Sequence, residues 1–112
     1  DLFGQLDPFC TIQVDKTVYK TKIAEDTKTP KWNQLFEFKT NSVDNLNVNI
    51  SIYDSDPLGT DELLGNSTIN LIEHMTDFNL DKVFTLNPNN EFKITPEIHL
   101  KINLEVVDQS KP

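Results

Sequence analysis

An acidic segment between two apolar stretches holds the residues of this chain that could do chemistry. The segment 53–65 reads YDSDPLGTDELLG, and four acids lie within nine of its residues: Asp54, Asp56, Asp61 and Glu62. Turns are rich in aspartate, and Pro57 and Gly59 would form the bend, so one interpretation is a solvated turn. Calcium prefers several carboxylate oxygens on flexible backbone, so the other interpretation is a cation-binding loop.

A second acidic segment opens the sequence, which begins DLFGQLDPF. Asp1 and Asp7 flank a loop that contains Gly4, and an apolar strand pattern follows from Phe9. In a β-sandwich, loops that are distant in sequence can gather at one end. A cluster of five or six carboxylates is unfavourable without a counter-ion, so the pair of segments predicts a bound cation.

Other site chemistries fit the acidic segment less well. Counted from Asp54 as an EF-hand loop, the fifth position is Leu58 and the twelfth is Gly65, so two telling ligands are absent. Asp54 and Asp56 could form a glycosidase carboxylate pair, but the sequence offers no aromatic-lined groove to support it. The sequence also lacks a visible pairing of nucleophile and base, so we expect no enzyme activity.

Composition bounds the class of protein. A chain of 112 residues with 37% hydrophobic and 25% charged residues predicts one soluble globular domain. No run of about 18 apolar residues is present that would predict a membrane span. The single cysteine, Cys10, excludes an internal disulfide and favours a reducing compartment. The net charge of −8 argues against nucleic acid as a partner.

The hydrophobic pattern has a period of two, which is typical of strands buried on one face. The clearest alternation runs over Leu46–Ile52 and Ile98–Val106. A short helical turn is predicted over Leu71–Asp77, and residues 109–112 are predicted to be a frayed end. Turn residues separate the segments, so the fold class is all-β, an antiparallel sandwich of short strands. Weaker strand patterns cover Phe9–Val14, Val18–Ile23, Leu35–Phe38, Leu64–Leu71 and Lys82–Leu86.

Four short motifs follow one another along the chain: DLFGQLDPF at 1–9, KTK at 20–22, TPKWNQ at 29–34 before FEF at 36–38, and YDSD at 53–56 leading to LLG at 63–65. In this order and spacing they resemble the C2 domain family, and the resemblance covers residues 1–108. It implies an eight-stranded antiparallel Greek-key β-sandwich with calcium-binding loops at one end. C2 domains have one strand before the first acidic loop, so we expect an N-terminally incomplete domain without its first strand, cut from a longer protein.

The resemblance also implies the ligands of the calcium site, which would hold two or three calcium ions. The fifth carboxylate lies just before LLG, where Glu62 takes the position of the family's usual aspartate and Asp61 is its neighbour. Backbone carbonyls of Leu6 and Ser55 complete the predicted shell. The main predicted carboxylate ligands are Asp1, Asp7, Asp54 and Asp56.

The distribution of charge and the apolar residues of the loops indicate which function this resemblance implies. Without the six candidate ligand acids, 12 acids face 10 bases, so the remainder carries only −2 of the −8. Two calcium ions would therefore change the potential mainly at the loops, which predicts calcium-dependent docking on anionic phospholipid, phosphatidylserine or phosphoinositide. Leu2, Phe3 and Leu58 are the predicted membrane-inserting residues. Phosphoinositide head groups would bind a lysine patch formed by Lys20, Lys22 and Lys31.

This interpretation predicts a cytoplasmic module that becomes a peripheral membrane protein when calcium binds, with protein partners as a further expectation. The alternative is a calcium-independent scaffold that keeps the C2 fold and binds proteins through its sheet faces. Salt-sensitive, calcium-dependent binding to liposomes would separate the two hypotheses.

Overall fold

Two β-sheets facing each other form the fold. The structure is a computed structural model that describes residues 5–41, 46–87 and 93–107, with all side chains in these ranges except those of Phe36 and Phe38. Within these ranges no helix is long and apolar enough to cross a membrane. The strands are β1 (Pro8–Val14), β2 (Thr17–Lys20), β3 (Lys31–Thr40), β4 (Asn47–Asp54), β5 (Glu62–Asn70), β6 (Asn79–Thr85) and β7 (Glu97–Val106).

One sheet has the strand order β2-β1-β4-β5, and the other has the order β3-β7-β6. Four of the five strand pairs are antiparallel, so the predicted antiparallel β-sandwich is confirmed. The pair β3–β7 is parallel, with Lys31 opposite Glu97 and Thr40 opposite Val106. Parallel neighbours need a long connection rather than a hairpin, and the chain from β4 to β6 supplies it here.

The core lies between the sheets and is built by the period-two alternation. The inward residues of the central strands β4 and β7 are fully buried, and their polar neighbours in sequence point outward. Branched aliphatic side chains suit this pleated surface, and each one stabilises the fold by roughly 1.5–3 kcal/mol when buried. These inward residues are Val48, Ile50, Ile52, Ile98, Leu100 and Ile102.

The weaker sequence patterns predict their strands with small errors at the ends. The predicted helical turn at 71–77 is a 3₁₀ turn over Ile72–His74. The predicted strand Val18–Ile23 ends earlier, because β2 stops at Lys20. The chain nevertheless stays beside β1, since the amide of Thr21 bonds the carbonyl of Cys10 at 2.9 Å. Lys22 therefore lies just beyond β2 rather than inside it.

The two ends of the sandwich differ in their loops. β1 begins, β4 ends and β5 begins at one end, which we call the acidic end because of the loops it carries. At the opposite end Val14 pairs with Thr17 across a two-residue turn, and Asp15 in that turn has a φ of 53°. A positive φ at the first turn residue matches the twist of a tight hairpin. β1 and β4 thus carry the candidate site at one end only.

Candidate functional site

Strand register brings three loops together at the acidic end. Asp54, the last residue of β4, lies opposite Pro8 of β1 and Glu62 of β5, so loops 5–7 and 55–61 leave neighbouring strands. Loop 21–30, which joins β2 to β3, lies against them. The amide of Ala24 bonds the Pro8 carbonyl at 2.8 Å, and the amide of Thr27 bonds the Leu6 carbonyl at 2.9 Å.

Asp54 lies at the centre of this end. Its residue is only 6% exposed, and its Oδ1 accepts a hydrogen bond of 2.8 Å from the backbone amide of Asp7. The Asp7 carbonyl in turn accepts a hydrogen bond of 3.0 Å from the amide of Ser55. A buried carboxylate is unfavourable unless it is hydrogen-bonded, and the Asp7 amide supplies such a bond. Loops 5–7 and 55–61 are therefore tied to each other in both directions.

Loop 55–61 folds around its own carboxylates. Asp61 Oδ1 accepts the backbone amide of Asp56 at 2.8 Å, and Asp56 Oδ1 accepts that of Leu58 at 2.9 Å. Aspartate side chains commonly stabilise turns in this way. A Cβ at Gly59 would lie 2.8 Å from Asp56 Oδ2, so only glycine permits this close approach. The turn presents Leu58, which is 97% exposed.

An acidic cavity of about 410 Å³ lies between these loops. Loop 21–30 contributes two acids that the sequence reasoning missed, Glu25 and Asp26. Asp26 has a φ of 48°, and its backbone amide donates a hydrogen bond of 2.8 Å to Asp7 Oδ1. The sequence signal that could have identified them is that two acids stand side by side shortly before the TPKWNQ motif. The lining residues of the acidic cavity are Gln5, Asp7, Ile23, Glu25, Asp26, Ser55 and Pro57.

A basic groove of about 550 Å³ lies beside the acidic cavity, between residues 20–24 at the end of β2 and the first residues of β3. The predicted lysines Lys20, Lys22 and Lys31 all line it and are all exposed. Trp32 forms part of the wall, is 7% exposed, and donates its indole N–H to the Lys22 carbonyl at 2.9 Å. Trp32 thus packs against the core and fixes the backbone that carries Lys22. The remaining lining residues are Thr21, Ile23, Ala24, Asn33 and Gln34.

An aromatic ring on the outer face of the four-stranded sheet holds Lys20 in place. Its Nζ lies 4.4 Å from the centroid of the Phe9 ring, and Phe9 stacks on Tyr53 with centroids 5.4 Å apart. A lysine over an aromatic face gains about 0.5–1 kcal/mol at an exposed site. The contact orients one of the three groove lysines without neutralising its charge.

Comparison with known proteins identifies the family. The family model of the C2 domain matches residues 1–86, which is more than three quarters of the chain. The chain belongs to the C2 domain family. C2 domains are membrane-binding modules, and the family resemblance inferred from the four motifs is confirmed.

The relatives of this C2 domain include extended synaptotagmins. Extended synaptotagmin-2 of Mus musculus is 31% identical over 99 residues, which is 88% of this chain and 11% of that protein. A solved C2 domain of plant extended synaptotagmin 1 has a TM-score of 0.63 and 21% identity, covering 92% of this chain and 82% of that one. A calcium-bound pair of C2 domains from extended synaptotagmin 2 has a TM-score of 0.52 and 20% identity, covering 84% and 33%. This C2 domain thus spans about 11% of the curated relative's length.

All predicted ligands that fall within the described residues lie at the acidic end of the C2 domain. Their surroundings differ. Asp7 and Asp54 join loops 5–7 and 55–61, and Asp56 and Asp61 shape loop 55–61. Glu62 is the first residue of β5, exposed and paired with Asp54 in the strand register. The predicted residues Asp1, Leu2 and Phe3 lie outside the described residues. In the part of the chain that is described, no three acidic, histidine or cysteine side chains converge on one point.

The chemistry of the acidic end fits calcium in its type of donor. The predicted ligands are carboxylate and carbonyl oxygens, which calcium prefers over nitrogen and sulfur. Their hydrogen bonds in the structure are to backbone amides, and each such bond uses one of the two oxygens of a carboxylate. The Leu6 carbonyl is a less suitable calcium ligand, since it already accepts a hydrogen bond from the Thr27 amide. The donor set therefore fits a hard cation, and the described side chains would have to rotate for three of them to converge on one ion.

Proposed function

We propose that this C2 domain binds calcium at its acidic end and then docks on anionic phospholipid membrane. The observation that carries the proposal is the hydrogen bond from the Asp7 amide to the buried Asp54 carboxylate, which brings two acidic loops into contact. A third acidic segment, Glu25 and Asp26, lies at the same cavity. Negative charge concentrated in this way is stabilised by a divalent cation.

Calcium would be held by Asp7, Asp54 and Asp56, with Asp1 and one further acid. Asp61 suits the role of the further acid better than Glu62 does, because its carboxylate already turns into the loop and bonds the Asp56 amide. Bound calcium would supply positive charge and vacant coordination positions for lipid phosphate. One solved relative of the same fold is described as calcium bound.

The apolar tip of loop 55–61 supports membrane contact. Leu58 is 97% exposed at the tip of the loop that Asp56 and Asp61 fold. An exposed leucine is favourably transferred into the interfacial region of a bilayer, with roughly 1.5–3 kcal/mol at most for full burial. Leu58 would therefore insert once the negative charge of its own loop is neutralised.

The basic groove supports a second lipid contact, with a phosphoinositide head group. Lys20, Lys22 and Lys31 line one groove, and Lys20 is oriented by the Phe9 ring. Each lysine near an anionic surface contributes about 1 kcal/mol, so three lysines would add to calcium-dependent docking without replacing it. The domain would thus move from the cytoplasm to the membrane surface when calcium rises.

Calorimetric titration of calcium into the chain tests the proposal. The Asp54→Asn/Asp56→Asn double variant should lose calcium binding. A matched control is Asp15→Asn/Asp77→Asn, which makes the same charge change in two turns with positive φ that lie away from the acidic end. The control should bind calcium like the wild type. Binding to vesicles that contain phosphatidylserine is then measured, once with calcium and once with a chelator.

Two results would overturn the proposal. One is the absence of calcium binding at millimolar calcium, and the other is equal vesicle binding with calcium and with chelator. Either result would favour the calcium-independent scaffold, and the basic groove would become the first surface to test for partners. If both double variants lost calcium binding alike, the acidic end would not be the site.

A further inference from the structure

Ile23 lies between the acidic cavity and the basic groove and lines both of them. It is 47% exposed, although it is a large apolar residue. Single exposed apolar residues are common on protein surfaces and need no explanation by themselves. The location of Ile23 is what distinguishes it, because it forms a shared wall between a cavity lined by acids and a groove lined by lysines.

Backbone hydrogen bonds fix Ile23 in this place. On one side of it, the Thr21 amide bonds the Cys10 carbonyl at 2.9 Å, and on the other the Ala24 amide bonds the Pro8 carbonyl at 2.8 Å. The indole of Trp32 also holds the neighbouring carbonyl of Lys22. Ile23 thus belongs to a segment that is hydrogen-bonded to β1. These bonds keep its side chain at the surface of the domain.

Positive charge on both sides of Ile23, from the proposed bound cations and from lysines, indicates that this surface binds an anionic lipid membrane. Under the proposed function, cations held at the acidic end, where Asp7 also lines the acidic cavity, and lysines in the basic groove both face lipid phosphates. A planar membrane that reaches both sites must pass over the residue between them. At that point an apolar side chain is favourable, because it enters the interfacial layer between the head groups.

We infer that Ile23 contacts the membrane and joins the acidic cavity and the basic groove into one docking face. This inference rests on the proposed function and adds an orientation to it. The domain lies tilted on the bilayer, with the segment 20–24 against the lipid as well as the tip of loop 55–61. A domain standing upright on its loop tips would instead leave Ile23 in water.

Site-specific fluorescence tests the orientation. The single native cysteine, Cys10, is fully buried, so a thiol-reactive, environment-sensitive dye will report on an introduced cysteine. The labelled variants are Ile23→Cys, Leu58→Cys at the loop tip and Val106→Cys as the control. Val106 is 45% exposed, close to the value for Ile23, and is the last residue of β7. The first residue of β7, Glu97, pairs with Lys31 of the basic groove, so Val106 lies at the opposite end of the sandwich.

Vesicles of phosphatidylcholine with phosphatidylserine, with or without a phosphoinositide, are added in calcium. The inference expects a blue shift and a rise in emission at positions 23 and 58 and no change at 106. A change at 58 without one at 23 would overturn the inference while the proposed function stands. A change of equal size at 106 would also overturn it, since the response would not depend on position. No binding of any variant to these vesicles would overturn both.

An unlabelled pair of variants gives an independent readout. Ile23→Asn should weaken vesicle binding by about tenfold, the amount expected for losing an interfacial aliphatic side chain. Val106→Asn should leave it within twofold of the wild type. Calcium affinity without vesicles should be unchanged in both variants, because the side chains of Ile23 and Val106 carry no oxygen that could bind a cation. Equal vesicle affinity of Ile23→Asn and wild type would contradict the tilted orientation.

Discussion

Asp54 and Asp7 lie 47 positions apart in the chain, yet the backbone amide of Asp7 donates a hydrogen bond of 2.8 Å to Asp54 Oδ1. The bond joins the end of β4 to the loop before β1 and brings two acidic loops into contact. It also shows how a 6% exposed carboxylate is accommodated by a backbone donor. The same carboxylate is therefore a structural acceptor and a candidate metal ligand.

The variant Asp54→Asn separates these two roles. Asparagine keeps an oxygen that can accept the Asp7 amide, while the negative charge is removed. We expect the free energy of unfolding in chelator to be unchanged or to rise by about 1 kcal/mol, since repulsion within the acidic end is relieved. Calcium at one hundred times its dissociation constant should stabilise the wild type by about 2.7 kcal/mol and the variant hardly at all.

Urea denaturation with chelator and with calcium measures both quantities. Asp77→Asn is the matched control, because it removes the same charge from a turn outside the acidic end. It should retain the full stabilisation by calcium. If Asp54→Asn kept the full stabilisation by calcium, the residue would be a structural acceptor only.

Gly59 controls the position of the Asp56 carboxylate. In Gly59→Ala the new Cβ would lie 2.8 Å from Asp56 Oδ2, so the carboxylate must move. Because the atom to be displaced is the end of a side chain, we expect the free energy of unfolding to change by less than about 0.5 kcal/mol. Calcium affinity should fall several-fold, since Asp56 is a predicted ligand.

A double-mutant cycle with Asp56→Ala checks the cause. Without the Asp56 carboxylate, Gly59→Ala should have no further effect on calcium affinity. An undiminished effect in the Asp56→Ala background would mean that the substitution acts on the backbone of the loop instead.

The sequence predicts much of the fold and only part of the site. Alternation alone predicts β4 and β7, because buried and exposed side chains repeat with the period of the strand. It cannot predict that Asp26 joins the site, since that requires a left-handed backbone and the packing of loop 21–30 on β1. Nor can it separate Asp61 from Glu62, because their directions depend on where β5 begins. Local pattern thus locates the strands, whereas tertiary packing decides which loop atoms meet.

Phe78 has a strained backbone conformation, and glycine at this position should relieve the strain. Thr76 and Asn79 exchange backbone hydrogen bonds of 2.8 and 2.9 Å around a two-residue turn, in which Asp77 and Phe78 have φ values of 51° and 60°. Such a turn prefers glycine at its second central residue, and a bulky residue there is strained. The free energy of unfolding of Phe78→Gly should exceed that of Phe78→Ala by about 1 kcal/mol.

Thermal or urea unfolding measures this effect. Phe78 is 49% exposed, so removing the ring also loses the burial of about half of this residue, and a control must account for that loss. Phe78→Ala is the control, because it removes the ring and keeps the strained φ. It should not be more stable than the wild type, and equal stability of the alanine and glycine variants would contradict the strain.

Acid should weaken a polar contact on the outer face of the three-stranded sheet. His99 of β7 contacts Asp81 of β6 through Nε2 and Asn33 of β3 through Nδ1. The hydrogen bond to His99, aided by the charges of His99 and Lys101, lowers the pKa of Asp81 below its ordinary value of 3.8. The folded state thus favours the ionised carboxylate, so its stabilising effect is present above the ordinary pKa and is lost as pH falls through the lower folded pKa.

The variant Asp81→Asn removes this pH dependence. Its free energy of unfolding should fall below that of the wild type near pH 5, and the difference should shrink as pH drops below about 3.8. Denaturation at a series of pH values measures the difference. A constant difference down to about pH 2.5 would contradict the assignment to this carboxylate.

Cys10 offers a probe of the folded state that lies apart from the candidate ligands. Its side chain is fully buried in the core, and burial raises the pKa of the thiol to about 12, although the hydrogen bond with Thr21 opposes the shift. Because the thiolate is the reactive form, we expect almost no reaction with a disulfide reagent at pH 8 in the native state. Labelling should follow the transient unfolded population, so calcium at one hundred times its dissociation constant should slow it about 100-fold. In Asp54→Asn/Asp56→Asn the rate should not respond to calcium, whereas fast labelling of the native wild type would show that Cys10 is reached without unfolding.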